Sequence, residues 1–454
     1  MSIEEKKVRY DRREAAKLMA GGSALAFGLS SRNASGAKPP NLVFILSDDH
    51  RWDHLGILGH PFMETPALDK LAKEGVLFKN AFVTTSLCSP SRASFLTGNY
   101  AHTHGVKNNL THWSNDNVTF LETLKQAGYR TAFIGKWHMP GDIPDLRGVD
   151  KFITFTVQGG QGRYFNCPLI VNGRPEPSRK PYITEELTDR AIEFMNEDSD
   201  RPFCLFLSHK AAHHQFLPPP DVAGRYDDVK LDLPSEADPW VTVTGGHMFY
   251  GTLLPLSVHY RNYCETLFAL DRQIGRVIDW IDRQGLTDDT CIAYAGDNGF
   301  FWGEHGLVDK RWAYEESIRV PFIVRYPRLT GQPAMRDEMV LNVDLAPTFL
   351  DIAGVRPKAK MEGSSFKPLL QGPAPWRDAW LYEYFRDYPY AVPGIYAVRT
   401  STHVYMEYDN QRKAELYDVV NDPRQMNNLF GQAGSDDLLD QMKRKLKDLK
   451  KRPG

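Results

Sequence analysis

The sequence predicts an α/β fold: a large, mainly parallel mixed sheet sandwiched by helices, then a smaller C-terminal α+β subdomain with a short antiparallel sheet. Three observations lead there. Continuous apolar runs of strand length recur, helical stretches separate them, and beyond residue 355 the pattern changes to strand-like pieces ending in a charged helix.

The elements follow in order. NLVFIL (41–46) is apolar without alternation, as a strand buried on both faces must be. Residues 120–127 read as a helix stopped by Gly128, and 130–135 as the next strand. A helix over 184–195 precedes the strand FCLFL (203–207), and an amphipathic helix over 260–284 leads into CIAYA (291–295). Between them, 216–258 is rich in Pro and Asp and without clear periodicity, which suits a substrate-facing insertion. The stretch 345–353 closes a large domain of residues 38–355. The subdomain, 356–454, carries strand-like pieces at 379–385 and 395–408, a turn-rich Asp-Pro stretch and a final helix over 435–451.

The first 37 residues read as an address. Arg12 and Arg13 precede a short apolar run (18–29), and Asn-Ala-Ser-Gly-Ala suits cleavage after Ala37. The pair resembles a twin-arginine export signal, although Glu14 and Ala15 stand where hydrophobic residues usually follow; a general secretory signal or an amphipathic helix remains an alternative. The expected location is the periplasm or the extracellular space. The apolar run is too short to span a bilayer, so no stable membrane insertion is expected once the signal is gone. The segment holds seven Lys/Arg against four Asp/Glu, so its removal takes the formal charge from -2 to -5. That balance argues against nucleic acid as a partner.

Chemistry appears where strands end. The first strand runs into Asp48 and Asp49, and CIAYA into Asp297 and Asn298. Ligands gather beyond the carboxyl ends of parallel strands, so these pairs can converge on one pocket. Three carboxylates and an amide oxygen suit a hard cation, Ca²⁺ or Mg²⁺, better than Zn²⁺. The plain alternative for either pair is a helix cap or a solvated turn.

Five cysteines are too few and scattered for a disulfide framework, and none has zinc-site spacing. Cys88, in TTSLCSPSRASFLTG (84–98), therefore needs its own explanation. It lies just ahead of an expected helix with Ser89 as N-cap and Pro90 at its first position, where an anion would be favoured and Arg92 could pair with it. A phosphatase-like thiolate needs a longer loop before its Arg, a Cys/His acyl-transfer pair has no local support, and a soft thiolate is a poor ligand for Ca²⁺.

Cys88-Ser-Pro-Ser-Arg92 followed by Leu96-Thr-Gly98 resembles the signature of type I sulfatases of the alkaline phosphatase-like superfamily, in which the cysteine is oxidised to formylglycine. Further matching segments occur in family order: NLVFILSDD (41–49), TPALD (65–69), GKWH (135–138), SHKAAH (208–213), GDNG (296–299), Lys310, VPFIVRYP (320–327) and ELYD (415–418). The resemblance implies that Asp48, Asp49, Asp297, Asn298 and the modified Cys88 hold Ca²⁺, Mg²⁺ being possible, and that Arg92 holds the formylglycine hydrate. It implies that Lys136, His138, His213 and Lys310 surround the sulfate. A hydrate hydroxyl would attack sulfur, and the alcohol would leave with a proton from His213 first or Lys310 second. His138 would assist release of sulfate. Ala212 stands where the family usually has proline, which puts the rigidity of that loop in question.

The signature and its continuation look most like sulfatases acting on N-acetylglucosamine 6-sulfate in glycosaminoglycans or mucin-type glycans. His104, Asn108 and Asn109 are then candidates for the sugar pocket, the alternative for the Asn pair being a turn. The implied partners are a sulfated sugar and a formylglycine-generating enzyme. A phosphonate monoester or phosphodiester hydrolase on the same scaffold, and a non-catalytic sugar-binding relative, are the competing readings.

Overall fold

β1 (Asn41–Ser47) pairs in parallel with β8 (Phe203–Ser208) on one side and β9 (Thr290–Gly296) on the other. In this computed structural model, which describes residues 38–140, 147–234 and 255–451, the three strands form the centre of a ten-stranded sheet. The expected export signal and residues 235–254 of the expected insertion lie outside the described residues. Beyond β8 the parallel run continues through β4 (Arg130–Gly135) and β5 (Lys151–Thr154), followed by antiparallel β6 (Leu169–Val171) and β7 (Arg174–Glu176). On the other flank β12 (Phe322–Arg325) runs antiparallel to both β9 and β2 (Val76–Phe78), and β13 (Ala334–Arg336) pairs in parallel with β2. The order is β13-β2-β12-β9-β1-β8-β4-β5-β6-β7.

Every residue of β4, β8 and β9 is buried, which is why these strands are continuously apolar. Alternate residues serve different cores. Val43 and Ile45 join residues of α1 (Pro66–Lys73), α5 (Ile183–Met195) and α6 (Leu256–Arg283), whereas Leu42, Phe44 and Leu46 join α2 (Cys88–Thr97), α4 (Phe120–Gln126) and α8 (Leu345–Ile352). Asp271 of α6 accepts the Ala67 and Leu68 amides at 2.9 Å each, capping α1 from across the interface.

Short pieces close the loops at the site: β3 (Ala81–Phe82) with β14 (Val340–Leu341), β10 (Phe301–Trp302) with β11 (Val308–Asp309), and helices α3 (Ala101–His104), α7 (Glu315–Ile318) and α9 (Lys367–Gln371). An antiparallel sheet follows, β15 (Ala379–Tyr384), β16 (Ile395–Thr400), β17 (His403–Tyr408) and β18 (Glu415–Asp418). The expected strand-like piece at 395–408 is thus a hairpin of two strands. α10 (Asp436–Lys450) covers one face through Leu439, Met442 and Leu446, while Trp380, Tyr382 and Met406 on the other face pack on Phe82, Leu87 and Phe301. The Glu383 amide donates to the Thr84 carbonyl at 3.0 Å, and the described residues from 39 onward form one compact unit.

Candidate active site

Four adjacent parallel strands, β9, β1, β8 and β4, end at one edge of the sheet and deliver the side chains singled out above. β9 ends before Asp297 and Asn298, and β1 before Asp48 and Asp49. β4 ends before Lys136 and His138, and β8 ends in Ser208, with His213 in the loop beyond it. Gly135 lets β4 and β8 meet there. Its φ is +117°, and a Cβ would stand 1.8 Å from the Ser208 carbonyl oxygen.

α2 enters the same space with Cys88 in its first turn. The expected Ser89 N-cap is corrected: the helix starts at Cys88, Leu87 is the N-cap, and the Ser89 hydroxyl donates to the His138 carbonyl at 2.6 Å. The Ser89 amide is instead taken by Asn109 Oδ1 at 3.1 Å. All ten residues of α2 are buried.

Arg92 fixes the centre. Its Nη2 lies 2.7 Å from Asp297 Oδ2 and 3.3 Å from Asp48 Oδ2, while Nη1 donates to the Lys136 carbonyl at 3.0 Å and to Ser208 Oγ. Lys136 Nζ pairs with Asp48 Oδ2, and Lys310 Nζ bridges Asp49 Oδ1 and Cys88 Sγ, the latter at 3.3 Å. Sγ is 3.6 Å from Asp48 Oδ1. His213 Nδ1 is 2.6 Å from the His214 carbonyl, and its Nε2 is 4.0 Å from Asp49 Oδ2.

The charges are mutually dependent. Burial would raise the Asp48 carboxyl, but Lys136, Arg92 and Lys310 together hold it below its ordinary value. Burial raises Asp49 to about 7 despite Lys310, and raises Asp297 with help from Asp48. Burial and the neighbouring Lys136 hold His138 and His213 well below the usual histidine range. The Cys88 thiol is pushed up to about 12 by burial although Lys136 and Lys310 pull the other way, so sulfur here is an uncharged thiol and a poor nucleophile.

The donor set fits a hard divalent cation. Asp48, Asp49 and Asp297 each present an oxygen within 4.8 Å of the others, and Asp49 Oδ2 and Asn298 Oδ1 are buried without a hydrogen-bond partner. Buried acceptors of that kind are costly unless a cation or donor meets them.

The sulfatase family model matches residues 40–355, and a model for the N-sulphoglucosamine sulphohydrolase C-terminal region matches residues 303–452. The chain belongs to the sulfatase family. It is a sulfuric ester hydrolase, and the fold agrees with its relatives. An N-acetylglucosamine-6-O-sulfatase of Bacteroides thetaiotaomicron is 33% identical over 87% of this chain and 83% of its own. Human N-acetylglucosamine-6-sulfatase is 29% identical over 91% and 84%. A solved structure in complex with its substrate D-glucosamine-2-N, 6-O-disulfate superposes with a TM-score of 0.83, at 32% identity over 91% of this chain and 98% of the other. A phosphonate monoester hydrolase of Agrobacterium radiobacter shares the fold at TM-score 0.73 and 22% identity, covering 90% and 95%.

In this sulfatase the ten residues assigned to metal, nucleophile and sulfate converge at the strand edge, and the three sugar-pocket candidates make hydrogen bonds within the protein. His104 is buried, with Nε2 3.2 Å from Ser94 Oγ and Nδ1 accepting the Val106 amide at 3.1 Å, so both ring nitrogens are engaged. Asn108 closes its own turn with Thr111 at 2.8 Å and reaches the Arg386 carbonyl at 3.0 Å; Asn109 caps α2. Ala212 leaves the loop well held: Asp48 and the Ala211–Ala212 pair exchange backbone hydrogen bonds of 2.8 Å each, and that peptide is cis.

Sequence reasoning missed several neighbours. Ser208 was findable as the strand-end partner of Lys136. Tyr164, whose hydroxyl donates to the His213 carbonyl at 2.6 Å, gave no local signal. Nor did the buried group beside Lys310, where Arg311 pairs with Asp309, lies 3.5 Å from Asp387 and stacks 3.4 Å over Tyr390. Among residues near the motifs, Glu304 pairs with Arg51 at 2.5 Å and His305 stacks on Tyr314 at 4.0 Å. No helix among the described residues is long and apolar enough to cross a membrane.

Proposed function

We propose that this sulfatase releases the 6-sulfate of N-acetylglucosamine units in glycosaminoglycan or mucin-type glycans, outside the cytoplasm, after an enzyme of the host has converted Cys88 to formylglycine. One observation carries the chemistry. Residue 88 sits where three carboxylates, an amide oxygen and two lysines meet, a place that suits an oxygen nucleophile and not a neutral thiol. The relatives that bear on the sugar are the N-acetylglucosamine-6-sulfatases and the neighbour bound to a glucosamine disulfate.

Asp48, Asp49, Asp297, Asn298 and the oxygen at residue 88 would hold Ca²⁺, with Mg²⁺ as the competing ion; the cation supplies positive charge opposite the sulfate oxygens. Formylglycine supplies, as its hydrate, a hydroxyl in place of the thiol. Arg92 orients residue 88 by fixing both Asp297 and Asp48. Lys136 and Lys310 stabilise the anionic ester and the charge that grows on it, from positions already set in a water-poor site. His213, charged as the imidazolium once the anionic ester lies beside it, gives the departing alcohol oxygen its Nε2 proton, with Lys310 as the alternative donor, and His138, tied to α2 through Ser89, assists release of sulfate.

Sulfate release from a panel of sulfated mono- and disaccharides tests the substrate. N-acetylglucosamine 6-sulfate is the expected substrate, and activity confined to galactose or uronate sulfates overturns the choice. Matched aryl sulfate and phosphonate monoesters separate this reading from phosphoryl chemistry. Mass spectrometry of the peptide carrying residue 88 should show an aldehyde, and Cys88→Ala should abolish turnover in folded protein. Fully active protein with a thiol at 88 refutes the mechanism. After chelation, Ca²⁺ is expected to restore activity better than Mg²⁺.

A further inference from the structure

Lys210 is buried, 2% exposed, and among the described residues no carboxylate lies within 4 Å of its ammonium. An ammonium taken out of water without a counter-charge in contact is expensive, and burial, helped by Lys136, pushes this amine down to about 7 although Asp48 and Asp49 act the other way from a distance. A methionine of similar volume would fill the same space without that cost. The cation therefore has a use other than stability.

Its contacts show what that use is. Nζ donates to the His214 carbonyl at 3.3 Å and sits 4.8 Å over the ring of Tyr164. The same His214 carbonyl accepts His213 Nδ1–H at 2.6 Å. Tyr164 in turn donates to the carbonyl of His213 itself at 2.6 Å, and the His213 amide donates back to the Lys210 carbonyl at 2.9 Å. Lys210 and Tyr164 thus hold the two carbonyls that follow the imidazole, from one side of the loop. With Nδ1–H directed to the His214 carbonyl, Nε2 is the nitrogen turned toward the site, 4.0 Å from Asp49 Oδ2, and it carries a transferable proton when the ring is the imidazolium.

We propose that Lys210 is a positioning residue for His213: by taking a lone pair of the His214 carbonyl it fixes the acceptor that orients the imidazole and keeps Nε2 toward the leaving oxygen of the sulfate ester. This rests on the assignment of proton donation to His213 under the proposed function. A chain of hydrogen bonds behind a reacting group acts on geometry, and small losses of orientation there are costly in rate.

The test compares two leaving groups. A sugar alkoxide needs its proton, whereas 4-nitrophenolate leaves without one. Lys210→Met is expected to lower kcat on N-acetylglucosamine 6-sulfate about 10–100-fold with little change in KM, and to change turnover of 4-nitrophenyl sulfate by less than about 3-fold. Lys210→Arg should recover most of the loss, since a cation and donor return. The Tm of Lys210→Met should equal or exceed that of the wild type, because a buried unpaired charge has gone. His213→Ala should show the same substrate selectivity, and the double variant should be no worse than His213→Ala alone. Equal losses on both substrates, additive losses in the double variant, or a fall in Tm overturn the proposal. If His213→Ala itself shows no selectivity for the sugar sulfate, the proton-donor assignment fails and this inference falls with it. If His213→Ala is selective and Lys210→Met is not, only the role of Lys210 fails.

Discussion

Replacing His102 with Gln removes a cation that joins α3 to the C-terminal sheet. His102 Nδ1 lies 2.9 Å from Glu383 Oε2 on β15, and Nε2 lies 3.3 Å from Glu362 Oε1. The hydrogen bonds to Glu362 and Glu383 raise the imidazole from 6.5 to about 10, against the opposing effect of burial. The ring is 37% exposed, so solvent screens much of that difference, and two partly exposed pairs contribute ~1–2 kcal/mol. Because the folded value is raised, this stability is fully present below about pH 6.5 and is lost as pH rises through about 10. In a chain of this size the loss corresponds to a Tm difference of ~1–2 °C between wild type and His102→Gln. Thermal unfolding of both proteins by circular dichroism, at about pH 6, 8 and 10.5, should show the difference at the first pH and its near absence at the last. A difference that persists undiminished above about pH 10, or is missing at about pH 6, refutes the imidazolium bridge.

Three further perturbations probe the scaffold of the site. Arg92→Met leaves Asp297 and Asp48 without their guanidinium and is expected to cost ~3–5 kcal/mol, read as a lower urea midpoint together with lost turnover. Gly135→Ala must push the Ser208 carbonyl away from a Cβ that would stand 1.8 Å from it, so folded yield and Tm should fall, and any folded fraction should turn over poorly because Lys136 is displaced. Asp271→Ala strips the two amides at the start of α1 and should cost ~1–3 kcal/mol, seen as a shifted urea midpoint with an unchanged slope and unchanged kcat.

The central strands were legible because burial on both faces leaves no room for polar alternation: NLVFIL, FCLFL and CIAYA all lie in the middle of the sheet. The strand-end oxygens were legible for a related reason, since parallel neighbours finish at the same edge. The flanks were not. β2 and β13 are three residues long, too short for any period, and β12 was recognisable only through its likeness to relatives, not as an antiparallel strand. Local signals misled at Ser89, where a good capping residue spends its hydroxyl on His138 while Asn109, twenty positions away in sequence, takes the free amide. There a distant partner outcompetes the neighbouring backbone. Lys210 lies inside the SHKAAH segment, and only the fold reveals that among the described residues no carboxylate lies within 4 Å of its ammonium.

The complete burial of α2 also has a temporal meaning. Residue 88 lies in the first turn of a helix none of whose ten residues reaches the surface, so a modifying enzyme can grip the Ser-Pro-Ser-Arg segment only before the chain closes around it. On the proposed conversion of Cys88, modification and folding would be in competition, and the share of working enzyme in a preparation would record which process ran first. A short peptide spanning residues 84–98 should be a substrate for the modifying enzyme, and the folded thiol form should not. Slowing folding in the producing cell should then raise specific activity without any change in sequence, and refolding a finished but unmodified protein should yield a sound structure that stays inactive.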